Sequence, residues 1–211
     1  MSAPATAGQL SIVSAPSGVG KSTIIRKVIA DSANLRFSVS STTRPMRSGE
    51  VAGKDYHFLA REEFVKGIGE GRFLEWAEVH GHLYGTDRLI VERWLKAGHD
   101  VLLDIDVQGV RFVRCSYPDA RTIFILPPSM EVLEERLRKR GTETAEQLAI
   151  RIAAARREIL DAPWFDFIVI NDSLEEAVDD VKAILRAGRS SRAVRSPELE
   201  ILLMSIQGAG D

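Results

Sequence analysis

Continuous apolar runs and amphipathic runs take turns along most of the chain. Leu10 to Val13, inside Gln9–Ala15, is the continuous apolar run of a strand buried on both faces. From Lys21 to about Asp31, Ile24, Ile25, Val28 and Ile29 recur at helical spacing. Phe37–Ser41 is short and β-prone and predicts a second strand. Thr42–Lys54, holding Pro45, Gly49 and Gly53, predicts a loop. Asp55–Leu59 predicts a strand, Glu62–Gly69 a short helix, and Phe73–Tyr84 short strands turning at Gly81. Asp87–Ala97 predicts a helix stopped by Gly98.

After that stretch the alternation becomes regular. Val101–Asp106 reads as a buried strand ending in carboxylates, and Val110–Cys115 as a short helix. Arg121–Leu126 reads as a buried strand closed by Pro127-Pro128. Ser129 stands at an N-cap position, Met130–Arg140 follows as a helix, and Gly141 ends it. Thr142-Glu143-Thr144 opens a long helix to about Asp161. Phe165–Ile170 is the last strand and Leu174–Ala187 the last long helix. Strands alternating with helices predict an α/β fold with a mostly parallel sheet covered on both faces. Residues 36–88 break the alternation and predict a separate lobe. The tail from Gly188 is basic, then apolar, and is compatible with an added helix.

Composition narrows the class. The 211 residues suffice for one good core with a small insertion or lid. Lys and Arg total 28 against 30 Asp and Glu, a formal net charge of −2, which argues against a general nucleic-acid binder but not against a local arginine cluster. The single cysteine, Cys115, leaves no intramolecular disulfide and suggests no thiolate zinc site. No apolar run approaches the roughly 18 residues of a membrane span, and Met1–Gly8 lacks the regions of a signal peptide. The expectation is a cytoplasmic protein without membrane or nucleic-acid partners. The sequence leaves its oligomeric state open.

The strongest local signal is Ala15, Pro16, Ser17, Gly18, Val19, Gly20, Lys21, Ser22, Thr23, set between the first strand and the first helix. Strand, glycine-bearing turn, lysine, hydroxyl and helix are the layout of a phosphate-binding loop. A bend through Gly18 and Gly20 can turn several backbone N–H groups inward, and the following helix adds the positive end of its dipole. Lys21 adds a full charge for the β- and γ-phosphates of ATP, and Ser22 can reach Mg²⁺. Ala15 stands where the usual pattern opens with Gly, and its methyl group predicts a negative φ there.

Phosphate binding alone leaves hydrolase, switch and kinase open, and arginines narrow the choice. Arg44 and Arg47 lie in the glycine-bearing loop; Arg136 and Arg140 lie four apart on one helix face; Arg151 follows on the next helix. Guanidinium groups bind phosphate oxygens in pairs and spread the charge of a transferring phosphoryl group. Two arginine sets plus the loop suggest two phosphate-bearing substrates. With Glu134, Glu135, Arg138 and Lys139 beside them, Arg136 and Arg140 also read as a solvated helix face.

At this point the chain resembles the bacterial guanylate kinases. The matching segments are Pro16–Thr23, Ser38–Pro45 with Arg47 and Gly49-Glu50, Gly53–Phe58, Phe73–Ala77, Tyr84-Gly85-Thr86, Leu103–Gly109, Pro127–Ser129, Arg140–Thr144 and Val169–Asp172, in family order over roughly residues 9–187. The resemblance implies an α/β, three-layer P-loop kinase with a mostly parallel sheet, a small mixed α/β GMP-binding lobe and a helical lid. It divides the chain into a core of residues 1–35, 89–128 and 153–187, a GMP-binding lobe at 36–88, a lid at 129–152, and a tail at 188–211.

The implied reaction is transfer of the γ-phosphoryl group from MgATP to GMP, and also dGMP, giving ADP and GDP in purine nucleotide metabolism. Ser40, Arg44, Arg47, Tyr56 and Tyr84 fall where the family contacts GMP, mainly at its phosphate. Glu75, Thr86 and Asp104 fall where it reads guanine. A carboxylate accepts from guanine N1–H and the exocyclic amine together, whereas adenine offers an unprotonated N1, a mismatch worth roughly 10⁴-fold in favourable cases. Lys21, Arg44, Arg136, Arg140 and Arg151 become the catalytic cations, and Asn171 falls where the family contacts the ATP base. Asp104 and Asp106, two apart on a predicted strand, face one side and join Ser22 as candidates toward Mg²⁺. No strong general base is needed, since the acceptor is already an anionic phosphate oxygen. Two rivals remain at this stage: a kinase of the same fold with another acceptor such as AMP, against which Glu75, Thr86 and Asp104 argue, and a non-enzymatic binding module, against which Lys21, Ser22 and the lid arginines argue.

Overall fold

A computed structural model of the chain describes residues 8–79, 81–139, 144–190, 196 and 199–204. Its centre is a five-stranded, all-parallel sheet in the order β2-β7-β1-β8-β9, made of Leu35–Phe37 (β2), Asp100–Asp104 (β7), Leu10–Ser14 (β1), Arg121–Leu126 (β8) and Phe167–Ile170 (β9). The apolar runs are continuous because the sheet has a core on each face. Alternate residues of one strand divide between them: Ile12, Leu103 and Phe124 enter one cluster, Val13, Leu102 and Ile123 the other.

Helices cover both faces. Lys21–Ala30 (α1) and Leu174–Arg189 (α7) pack over Val13, Leu102 and Val169, while Arg88–Lys96 (α3) and Val107–Ser116 (α4) pack over Ile12, Leu103 and Phe124. The chain leaves β1 toward β2 on one side and meets β8 on the other, so the carboxyl end of β1 is a topological switch point, the usual crevice of such sheets.

Residues 41–87 build a second, four-stranded sheet in the order β4-β3-β6-β5, from Ser41–Thr42 (β3), His57–Phe58 (β4), Phe73–Val79 (β5) and His82–Asp87 (β6). Arg61–Gly69 (α2) closes a separate small core on it, in which Phe64 stacks on Phe73 at 4.2 Å between ring centroids. A fourth cluster, Leu133, Leu137 and Ala155, joins Met130–Lys139 (α5) to Ala145–Ile159 (α6). Thr144 opens α6 with a capping box closed by Gln147. No helix is long and apolar enough to cross a membrane among the described residues. Residues 199–204 are helical and expose Leu199, Ile201, Leu202, Leu203 and Met204.

Two elements differ from the sequence expectation. The predicted strand Phe37–Ser41 is two strands in two sheets. The chain pairs with β7 through Phe37, gives one more bond from Ser38 N–H to Leu102 O, and re-pairs with the small sheet at Ser41. Continuous β-propensity marks extended backbone without saying which sheet it joins. The predicted strand Val101–Asp106 stops at Asp104, and Asp106 caps α4 instead, with φ −75° and ψ 173° and its Oδ1 accepting from Gly109 N–H at 2.7 Å. The helix therefore starts at Val107, three residues before the expected Val110: in a helix's first turn glycine is cheap, and an Asp three residues before Gly109 is a strong cap. Asp104 and Asp106 therefore do not share a strand face.

Candidate active site

The loop between β1 and α1 is shaped by two glycines in left-handed backbone, Gly18 at φ 92° and Gly20 at φ 101°. Each also needs its missing side chain. A Cβ on Gly18 would lie 2.5 Å from Leu137 of α5, and one on Gly20 would lie 2.8 Å from Asn171 Nδ2. Lys21 begins α1, and its ammonium pairs with Asp104 at the end of β7, Nζ to Oδ1 2.5 Å.

A cleft of about 420 Å³ opens over this loop. Ser14 to Thr23 form one wall. The opposite wall comes from the small sheet and its approach: Ser40, Tyr56, Glu75, Ala77, Val79 and Tyr84. Asp104 to Val107, at the end of β7 and the start of α4, form the floor, and Glu158 of α6 reaches in beside the loop. Ser40 is present because the chain crosses between the sheets there.

Glu75 is the chemical centre of the far wall. It is 6% exposed, and its Oε1 accepts the Thr86 hydroxyl at 2.6 Å from the neighbouring strand. Its Oε2 lies against Gly109, where a Cβ would be 2.8 Å away. Burial pushes the Glu75 carboxyl up to about 7, with the nearby Asp106 charge adding to the rise and the Thr86 hydroxyl opposing it. Arg44, 8% exposed, donates to Glu50 Oε1 and to Pro45 O, both at 2.7 Å, and its guanidinium lies 5.3 Å from the Tyr56 ring centre. The Glu50 carboxylate holds the Arg44 guanidinium above its ordinary range. Tyr56 meets Tyr84 edge-on at 5.9 Å, and its hydroxyl is pushed up mainly by burial.

Arg136, Arg151 and Asn171 sit around the loop rather than in the cleft. Arg136 donates to Val19 O and Asn171 O, and Arg151 donates to Ser17 Oγ at 2.6 Å. Asn171, expected at the ATP base, is 6% exposed and lies behind the loop, where Nδ2 donates to Val19 O at 2.6 Å. Arg47 is exposed and offers its backbone N–H to Glu50. Arg140 lies outside the described residues.

Two residues without a role in the sequence reading matter here. Gly109 makes room for Glu75. Glu158 touches the loop at Ser17 N–H, and its signal was available: it stands seven residues, two helical turns, from Arg151 and so shares its face. Among the described residues no group of three or more His, Cys, Asp and Glu is arranged to hold a metal ion unaided.

Comparison with known proteins points to one family. The family model for guanylate kinase matches residues 7–188. The guanylate kinase of Symbiobacterium thermophilum is 47% identical over 202 residues, 96% of this chain and 95% of that protein. The guanylate kinase of Thermotoga maritima is 45% identical over 201 residues, 95% of this chain and 97% of that one. The crystal structure of guanylate kinase from Anaplasma phagocytophilum superposes with a TM-score of 0.74 at 36% identity, covering 88% of each chain.

Proposed function

The chain belongs to the guanylate kinase family and is an ATP:GMP phosphotransferase, and from that premise we propose how its residues divide the work. The phosphate loop, Ala15–Thr23, takes the ATP phosphates, with Lys21 leaving Asp104 for the β- and γ-phosphates. The wall of Ser40, Tyr56, Glu75 and Tyr84, with Arg44, Arg47, Thr86 and Asp104, takes GMP. The observation that carries this division is Glu75. A buried carboxylate on one side of a cleft whose other side is a phosphate loop is costly unless a ligand repays it. Guanine does so with two donors, N1–H and the exocyclic amine.

Transfer then needs positioning and charge neutralisation, not a strong base. Arg44, Arg136 and Arg151 supply cations around the transferring group, and Arg140 belongs to the same proposal. The lobe 36–88 and the lid 129–152 close over the substrates so that water does not compete as acceptor. Ser22 and Asp104 fit Mg²⁺, which keeps several waters and needs few protein ligands. Asp106, with Oδ1 spent on the α4 cap, is left as a water-mediated partner. The ion supplies neutralisation of the triphosphate charge.

A coupled assay with MgATP and GMP, dGMP, AMP, CMP or dTMP tests the acceptor. Phosphorylation of GMP and dGMP with AMP lower by three orders of magnitude or more is expected (roughly, from the cost of an unpaired site). Comparable turnover of AMP would overturn the role given to Glu75.

A further inference from the structure

Ser17, in the phosphate loop, has its N–H and its hydroxyl engaged by one helix. Its N–H donates to Glu158 Oε2 at 3.3 Å, and its hydroxyl accepts from Arg151 Nη2 at 2.6 Å. Both partners stand on one face of α6. Three other carboxylates line the cleft. Glu75 accepts from Thr86, Asp106 caps Gly109, and Asp104 pairs with Lys21. Of these four, only Asp104 and Glu158 lie on groups of the loop itself.

A loop built from inward N–H groups is a site for an anion whether or not nucleotide is present. We propose that Glu158 fills an anion position of this loop in the nucleotide-free protein and is displaced by the ATP triphosphate, so that it sets donor affinity and ties donor entry to movement of α6. This rests on the loop being the ATP phosphate site. With the loop empty, the carboxylate satisfies Ser17 N–H at a helix that already touches it. With a triphosphate in place, the same carboxylate faces like charge, and like charges in contact repel even in bulk water. Release of Glu158 frees α6 from half of its hold on Ser17. Arg151, on the same face, stays beside the phosphates. Glu158 is thus a positioning residue whose charge acts against the donor.

Calorimetric titration of MgATP into the full chain, without GMP, tests this. Glu158→Gln keeps the shape and an acceptor oxygen but removes the charge. It is expected to bind MgATP about three- to tenfold more tightly at low salt, with the gain shrinking at high salt and GMP affinity unchanged. A purely structural role moves the opposite way, because loss of the contact loosens the loop. Unchanged or weaker MgATP binding by the folded variant overturns the proposal, as does equal tightening of GMP. If Glu158→Gln fails to fold, Glu158→Ala is read by the same criteria. Turnover of GMP by the unaltered chain, measured alongside, tests the proposed function separately.

Discussion

Glu75 and Thr86 stand opposite each other in the register of β5 and β6, both buried, and the Thr86 hydroxyl donates to Glu75 Oε1 at 2.6 Å. The hydroxyl and backbone N–H of Thr86 together do not repay the burial of a full charge. The carboxyl therefore titrates near neutrality in the free protein, at about 7 against an ordinary 4.5.

That shift makes Glu75 a cost to stability at working pH. Below pH 4.5 the group is protonated folded and unfolded alike, and it costs nothing. As pH rises toward 7 the unfolded chain gives up its proton while the folded chain keeps it, so stability falls; above 7 the full cost, on the order of 3 kcal/mol, is present. Glu75→Gln escapes this window. Its thermal midpoint relative to the unaltered chain should rise between about pH 4.5 and pH 8, while its GMP turnover falls by about 10² or more. A midpoint difference that stays flat with pH would mean that Glu75 is not buried as described.

GMP binding should follow the same group. Only the ionised carboxylate accepts both guanine donors, so GMP affinity drops as pH falls through about 7, and binding near that pH releases about half a proton. Calorimetry in buffers of different ionisation enthalpy measures the release, and Glu75→Gln supplies the background from the GMP phosphate. Thr86→Val removes the hydrogen bond that favours the ionised form, so the midpoint should move upward. A downward move would contradict the assignment of Thr86.

Gly109 should prove to be a specificity residue through its absent side chain. A Cβ there would meet Glu75 Oε2 at 2.8 Å and Ile105 Cδ1 at 3.2 Å. Glu75 has little room to yield while it holds Thr86. Gly109→Ala should therefore raise the KM for GMP about tenfold or more by misplacing the carboxylate, and leave the KM for ATP near its original value. Helix propensity alone favours Ala over Gly, so a loss of stability is not the expected route. Equal effects on both substrates would argue for a general disturbance of α4.

Much of this was legible because strong local rules agreed. The phosphate loop combines a buried strand, two turn glycines, a lysine and a helix start, and each signal constrains the same short stretch. The parallel sheet announced itself through apolar runs too continuous for a one-sided strand. What escaped was decided by distant parts of the chain. Nothing near Ser38 tells the chain to change sheets; the partners are β7 on one side and β6 and β4 on the other, none of them adjacent in the chain. Asp106 continues an apolar run that ends in Ile105, so it reads as strand, and its capping role shows only through Gly109 N–H. Gly109 has meaning only through Glu75, and Glu158, although its spacing puts it on the face of Arg151, only through Ser17.

Asn171 shows the difference in consequence between a residue that contacts a ligand and one that holds up the loop. Its side chain is buried, its Nδ2 donates to Val19 O at 2.6 Å, and it sits where a Cβ on Gly20 would collide with it. Arg136 also reaches Val19 O, at 3.4 Å, so the carbonyl keeps a weaker partner when Asn171 is lost. Asn171→Ala should then cost about 1 kcal/mol of stability without nucleotide, read as a lower thermal midpoint, and raise the KM for ATP and for GTP as donor alike. Asn171→Asp should be worse, because a carboxylate oxygen would face the Val19 carbonyl. A residue acting on the ATP base predicts another outcome: an unchanged midpoint and a changed preference between ATP and GTP. Loop support and base contact are therefore separated by one melting curve and two donor titrations.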